Sequence, residues 1–166
     1  MCELCDGVSL ETVMARTRER IDAFGFTMMM VEGPTPWTYT IGLLDSFGHP
    51  ELVVTSLEPR RSGALLTSVV NRVRLGQRFD RPGACLEVSA SVLRFGPVHP
   101  AQWRHGRFAM WQSFYDWVGH APDELAVQVL LPADDGVHHQ LLDCDPGHNV
   151  HGLNRAERRR AARRRR

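Results

Sequence analysis

Two cysteines three positions apart, Cys2 and Cys5, open the chain as a C-x-x-C. Thiolates at that spacing reach one metal ion, and half of a tetrahedral zinc site has this form. Cys144 with His148 could complete it, with His138, His139 and His151 as further donors close by. Thiolate together with imidazole suits zinc better than magnesium or calcium. Zinc is therefore the cofactor this set implies, and a tied-down N-terminus would be its structural effect. The alternative is an unliganded or redox dithiol. A thioredoxin-like role is disfavoured, because the motif does not follow a strand inside a βαβ unit. Cys85 falls within a strand pattern and reads as a small buried residue.

His49 and Glu51, with Tyr39 on a neighbouring strand, are the candidate acid/base cluster. Histidine titrates near neutral pH, and a carboxylate two residues on could orient it. Residues i and i+2 also share a strand face, so the two could instead hydrogen-bond locally and pin a loop. Pro50 between them, with its fixed dihedral, favours that structural role. No nucleophile elbow, phosphate loop or dinucleotide fingerprint is present. Trp103, Trp111, Trp117 and the surrounding phenylalanines could stack on bases, but at helical spacing such residues are core.

The C-terminus carries the strongest charge signal. Every one of the 20 basic residues is arginine, and Arg155, Arg158, Arg159, Arg160, Arg163, Arg164, Arg165 and Arg166 stand there against Glu157 alone, a net of +7. Residues 1–154 hold 12 Arg against 18 acidic residues, a net of −6. Ala and Arg favour helix, but like charges at i, i+4 oppose it until an anion neutralises them. Arginine forks pair bidentately with phosphate, and arginine-rich segments order on RNA. With no groove-reading motif, the partner would be read by charge and shape, as in structured RNA or the ribosome.

These groups need a scaffold, and the pattern supplies one. Ser9 is placed to cap a helix whose apolar stripe runs through Leu10, Val13, Met14, Thr17, Ile21 and Phe24, with Gly25 ending it. Phe26 to Val31 reads as a strand, turned by Gly33-Pro34-Thr35-Pro36 into a second one. There Trp37, Tyr39 and Ile41 alternate with Thr38 and Thr40. A short Gly- and Pro-punctuated loop leads to Glu51–Leu57, whose run Leu52-Val53-Val54 marks a strand covered on both faces. Pro59 suits a helix start, and Leu65, Leu66, Val69, Val70 and Val73 line that helix. Cys85 to Phe95 reads as one further strand, Phe108 to Val118 as an aromatic-rich helix, and Leu125 to Leu131 as a last strand. No internal repeat is visible.

The wording W-T-Y-T-I-G-L (Trp37 to Leu43) then F-G-H-P-E-L-V-V (Phe47 to Val54), after an opening Met1-Cys2-x-x-Cys5-Asp6 and a helix, resembles the bacterial domain-of-unknown-function family 4262. The resemblance covers about the first 60 residues, is weaker over Glu124 to Leu131, and does not reach the arginine tail. Members close with an aromatic P-W-D-P-like turn where this chain has His138 to Cys144. The resemblance implies a fold and no activity.

A chain of 166 residues, 43% apolar and 23% charged, has the size and composition of one soluble domain. No run of about 18 apolar residues exists, and Glu3 and Asp6 in place of a basic leader argue against a signal peptide. The expectation is thus cytoplasmic: a single α+β domain over 1–153, mainly an antiparallel sheet covered by about three helices, and an arginine-rich tail over 154–166. Functionally, it is a non-enzymatic accessory protein that binds RNA, ribosomal RNA included, through the tail, with zinc tying the domain ends. The alternatives are a small enzyme using a Tyr39/His49/Glu51 pocket, or a protein–protein adaptor whose tail meets an acidic partner.

Overall fold

The computed structural model describes residues 6–33, 35–81, 83–88, 91–98, 102 and 107–119, and the backbone of 126–130. In chain order these form α1 (Leu10–Phe24), β1 (Thr27–Val31), β2 (Trp37–Ile41), α2 (Leu43–Phe47), β3 (Glu51–Thr55), α3 (Pro59–Arg74), β4 (Cys85–Val88), β5 (Ser91–Pro97), α4 (Ala109–Trp117) and β6 (Ala126–Leu130).

The strands make one six-stranded sheet in the order β1-β2-β3-β6-β5-β4. The first three form an antiparallel meander, with Val31 opposite Trp37 and Tyr39 opposite Val53. The last strand enters the middle of the sheet, parallel to β3 and antiparallel to β5. The fold is α+β and mainly antiparallel, with β3–β6 the parallel pair.

Period-two alternation in β2 sorts its side chains onto two helical layers. Tyr39 and Ile41 pack with Val53 against Val13, Met14 and Ile21 of α1 and Trp111, Phe114 and Tyr115 of α4. On the other face Leu52 and Val54 meet Leu66, Val69, Val70 and Val73 of α3, with Leu93 and Phe95 of β5. Strand β3 is buried at all five positions, as a central strand between two helical layers must be. Thr38, on the α3 face, places its hydroxyl 2.6 Å from that of Ser62, which itself donates to the Pro59 carbonyl. The Thr38 hydroxyl is therefore the donor.

Helix ends follow local chemistry. The Ser9 side chain accepts the Thr12 N–H, and Gly25 closes α1 in the left-handed region. Glu58 caps α3 by accepting from the Arg60 and Arg61 N–H groups, and Pro59 opens the helix.

Three expectations are corrected. Leu43–Phe47 is a short helix, not part of a loop. Cys85 to Phe95 is a β-hairpin, because the chain reverses between Val88 and Ser91 and pairs Leu86 with Leu93. The reversal resets which side chains face inward, so Val92 is exposed while Leu93 is buried. Cys85 lies on the outer strand β4 with its side chain on the solvent side, so it is exposed and not a buried hydrophobe.

Candidate functional site

Glu51 begins β3 in the centre of the sheet, and its carboxylate is completely enclosed, 1% exposed. The donors around it come from three elements and one turn. The Thr40 hydroxyl donates to Oε2 at 2.7 Å, and the Gly42 N–H donates to Oε1 at 2.8 Å. The Leu43 N–H is shared between Oε1 at 3.1 Å and Oε2 at 3.3 Å. The Tyr115 hydroxyl of α4 reaches Oε1 at 3.3 Å. Thr40 Oγ1 accepts in turn from the Leu52 N–H at 2.9 Å, so its hydroxyl links β3 to itself through the carboxylate.

The turn that presents those amides depends on Gly42. It sits at φ 102°, and a Cβ there would stand 2.8 Å from carbons of Ile21. Only glycine satisfies both conditions. The Y-T-I-G-L wording thus has a physical meaning: Thr40, Gly42 and Leu43 are three of the Glu51 partners, and Tyr39 and Ile41 are core.

His49 follows α2, just ahead of β3, and is fully buried. Its Nε2 accepts the Phe79 N–H at 3.1 Å, which leaves the proton on Nδ1 to be donated to the Pro50 carbonyl at 2.6 Å. Both ring nitrogens are engaged by backbone. The Phe79 ring lies 6.0 Å from the imidazole in an edge arrangement and stacks on Phe95 at 4.3 Å. Tyr39 points elsewhere: its hydroxyl meets the Met110 and Trp111 amides in the first turn of α4, a helix whose N-cap residue Phe108 offers no side-chain cap.

Burial dominates the electrostatics of all these groups. It pushes the Glu51 carboxyl up to about 7, against the pull of the Thr40 hydroxyl and the amides of Gly42, Leu43 and Leu44. It pushes His49 below its usual value, opposed by the Pro50 carbonyl and reinforced by Arg78. The phenols of Tyr39 and Tyr115 are both pushed up by burial, Tyr115 further by the neighbouring Glu51 charge.

No hydrogen bond among the described residues joins Tyr39, His49 and Glu51 to one another. Each is bonded instead to its own backbone or hydroxyl partners. The arrangement is a polar lock fastening β2, α2, β3 and α4, with His49 adding the segment after α3. Sequence reasoning picked out His49 and Glu51 but missed Thr40, Gly42, Phe79 and Tyr115. The signal for Gly42 and Thr40 was their place beside Tyr39; Phe79 and Tyr115 lie 30 and 64 residues from their partners and left none.

A surface depression of about 480 Å³ lies between the C-terminal end of α1, helix α2 and Arg74, and none of Tyr39, His49 and Glu51 lines it. Its charged groups are already engaged. Arg18 pairs with Asp22 at 2.9 Å and approaches Asp45 at 3.9 Å. Arg74 donates to the Phe24 carbonyl and lies over the rings of Phe26 and Phe47.

The expected zinc ligands Cys2, Cys5, Cys144 and His148, the donors His138, His139 and His151, and the tail arginines Arg155 to Arg166 lie outside the described residues, as does Trp103. Among the described residues no three His, Cys, Asp or Glu side chains gather to hold a metal ion, and no helix is long and apolar enough to cross a membrane. Trp111 is core, whereas Trp117 is 38% exposed and donates to Glu11 at 2.8 Å, tying the end of α4 to the start of α1.

A mixed six-stranded sheet between two helical layers, locked by a buried carboxylate, defines the class. The chain matches the family described as Domain of unknown function (DUF4262) over residues 20–138, and it belongs to that family. The match begins beyond the C-x-x-C opening and extends past β6, further along the chain than the Trp37–Val54 wording. No curated protein and no solved structure matches the chain.

Proposed function

We propose that this protein is a non-enzymatic accessory factor that binds RNA, in a cytoplasmic and ribosome-associated setting, through its arginine-rich C-terminal tail. The observation that carries the reading is the charge of that tail, eight Arg against Glu157 over residues 155–166. Guanidinium forks match phosphate oxygens, and neutralising the chain's own repulsion favours order on a polyanion. The buried lock supports the non-enzymatic part. His49 and Glu51 spend their hydrogen-bonding capacity on backbone and hydroxyl groups, which leaves neither positioned to move a substrate's proton.

The acidic charge of the body is unevenly spread. Between residues 120 and 154 stand six Asp and Glu and no Arg, so the acidic excess of residues 1–154 is concentrated just ahead of the tail. Like charge on that block opposes an approaching polyanion, so the cations of the tail must outweigh it.

Zinc belongs to the same proposal, held by Cys2, Cys5, Cys144 and His148. Metal there would join the two chain ends, coupling occupancy to folding.

Titrating a structured RNA stem-loop into the full chain over a range of salt tests the main claim. Binding should weaken steeply, with log K against log salt sloping by up to about −6 for eight phosphates neutralised at 0.7 each. Changing the eight tail arginines to Gln should remove most of that slope. Binding indifferent to the tail, or absent from the intact chain, overturns the proposal.

A further inference from the structure

The tail is not the sole basic feature. Helix α3 covers one face of the sheet, with Leu43 of α2 and Phe79 beside it, and over Pro59–Arg74 it carries four Arg and no acidic residue. Its inward stripe is apolar; its outward side presents Arg60, Arg61, Ala64, Thr67, Ser68, Asn71 and Arg72, all exposed. Arg61 and Arg72 are 11 residues apart, about three turns, so they share one side of the helix some 17 Å apart at 1.5 Å per residue. Small side chains fill the interval. The Thr67 and Ser68 hydroxyls are folded back onto the Gly63 and Ala64 carbonyls, which keeps that strip low.

Arg60, Arg61 and Arg72 enter no ion pair among the described residues, in contrast to Arg18 and Arg78. Nearby Glu58 is turned away, its oxygens accepting the Arg60 and Arg61 backbone N–H groups as the helix cap. Arg60 and Arg61 also stand in the first turn, at the positive end of the helix, where a cation is unfavourable and an approaching anion relieves the cost. Arg74 is excluded from this set because the Phe24 carbonyl and two rings hold it.

We infer that the outward face of α3, through Arg60, Arg61 and Arg72, is a second RNA-backbone contact. It lets the folded domain lie along the phosphates that the tail engages. This rests on the proposed RNA-binding function and adds a surface to it. The complementarity is of charge and length: a low strip with arginines at both ends and no acidic residue meets a run of phosphates, without a groove or pocket to read bases.

The test uses the full chain with R60Q/R61Q/R72Q, beside wild type and the eight-arginine tail variant, titrated with the same stem-loop across salt. The triple variant should fold as wild type by circular dichroism, since all three residues are exposed. Its salt slope should fall by about 2 to 3, at 0.7 to 0.9 for each phosphate left unneutralised. A slope equal to wild type, with RNA binding intact and tail-dependent, overturns the α3 contact and leaves the tail reading standing. Failure of wild type to bind RNA removes both.

Discussion

The imidazole of His49 accepts the backbone N–H of Phe79 across 30 residues of chain, at 3.1 Å and in full burial. One ring thereby fixes the turn before β3 to the segment after α3, on the side of the sheet where Phe79 stacks on Phe95.

Removing that ring should be costly. His49→Ala strands a buried N–H and opens a cavity, so the expected loss is about 2 to 4 kcal/mol in urea unfolding. His49→Gln, which keeps an acceptor and a donor, should lose less. A change below about 0.5 kcal/mol for the alanine variant would refute the role given to the Phe79 bond.

The two buried titrating groups pull stability in opposite directions with pH. Glu51 is raised to about 7 from 4.5, so its folded form holds a proton that the unfolded chain has lost. Its contribution is present below about pH 4.5 and disappears as pH rises through about 7. His49 is lowered from 6.5, so its contribution is present above 6.5 and disappears as pH falls through its depressed value. The wild-type profile between pH 5 and 7 should therefore be flattened. Glu51→Gln should uncover stability that rises with pH over that range, and His49→Gln stability that falls. Parallel profiles for the two variants would contradict the assignment.

Gly42 and Gly76 separate crowding from backbone strain. Both have positive φ, 102° and 84°, but a Cβ at Gly76 meets nothing within 4 Å, whereas at Gly42 it meets Ile21 at 2.8 Å. Gly42→Ala should destabilise more than Gly76→Ala by on the order of 1 to 3 kcal/mol, the usual cost of overpacking. Thermal or urea unfolding of the two variants reads the difference; equal losses would mean that Ile21 yields freely.

Metal content gives a separate check on the N-terminal cysteines. The purified chain should carry about one zinc ion, and Cys2→Ser with Cys5→Ser should abolish it and lower the unfolding midpoint. Zinc retained by the double variant would exclude the C-x-x-C as ligand.

Much of this architecture could be read from residue order, and the failures share one cause. The alternation of Trp37 to Ile41 and the stripe Leu66, Val69, Val70, Val73 are local patterns several residues long, and both elements form where those patterns place them. Helix α2 spans five residues, too few for a 3.6-residue period to repeat, and Gly42 and Gly48 at its ends look like loop punctuation. The β4–β5 reversal has no Gly, Pro or Asn to announce it. At the site, His49 and Glu51 stood out as chemical types at short spacing. Their role depended on Phe79 and Tyr115, groups whose nearness is created by the fold. Tyr39 was grouped with them by adjacency, yet its hydroxyl faces the first turn of α4.

The late arrival of β6 has a consequence for biosynthesis. Ala126–Leu130 is the last described strand to leave the ribosome, yet it fills the slot between β3 and β5. Until it is made, the apolar Leu52-Val53-Val54 segment has one side of its hydrogen-bonding ladder open, a ready template for a wrong partner. A nascent chain halted before residue 126 would be two half-sheets with a sticky seam, a form that chaperones would recognise and proteases would clear.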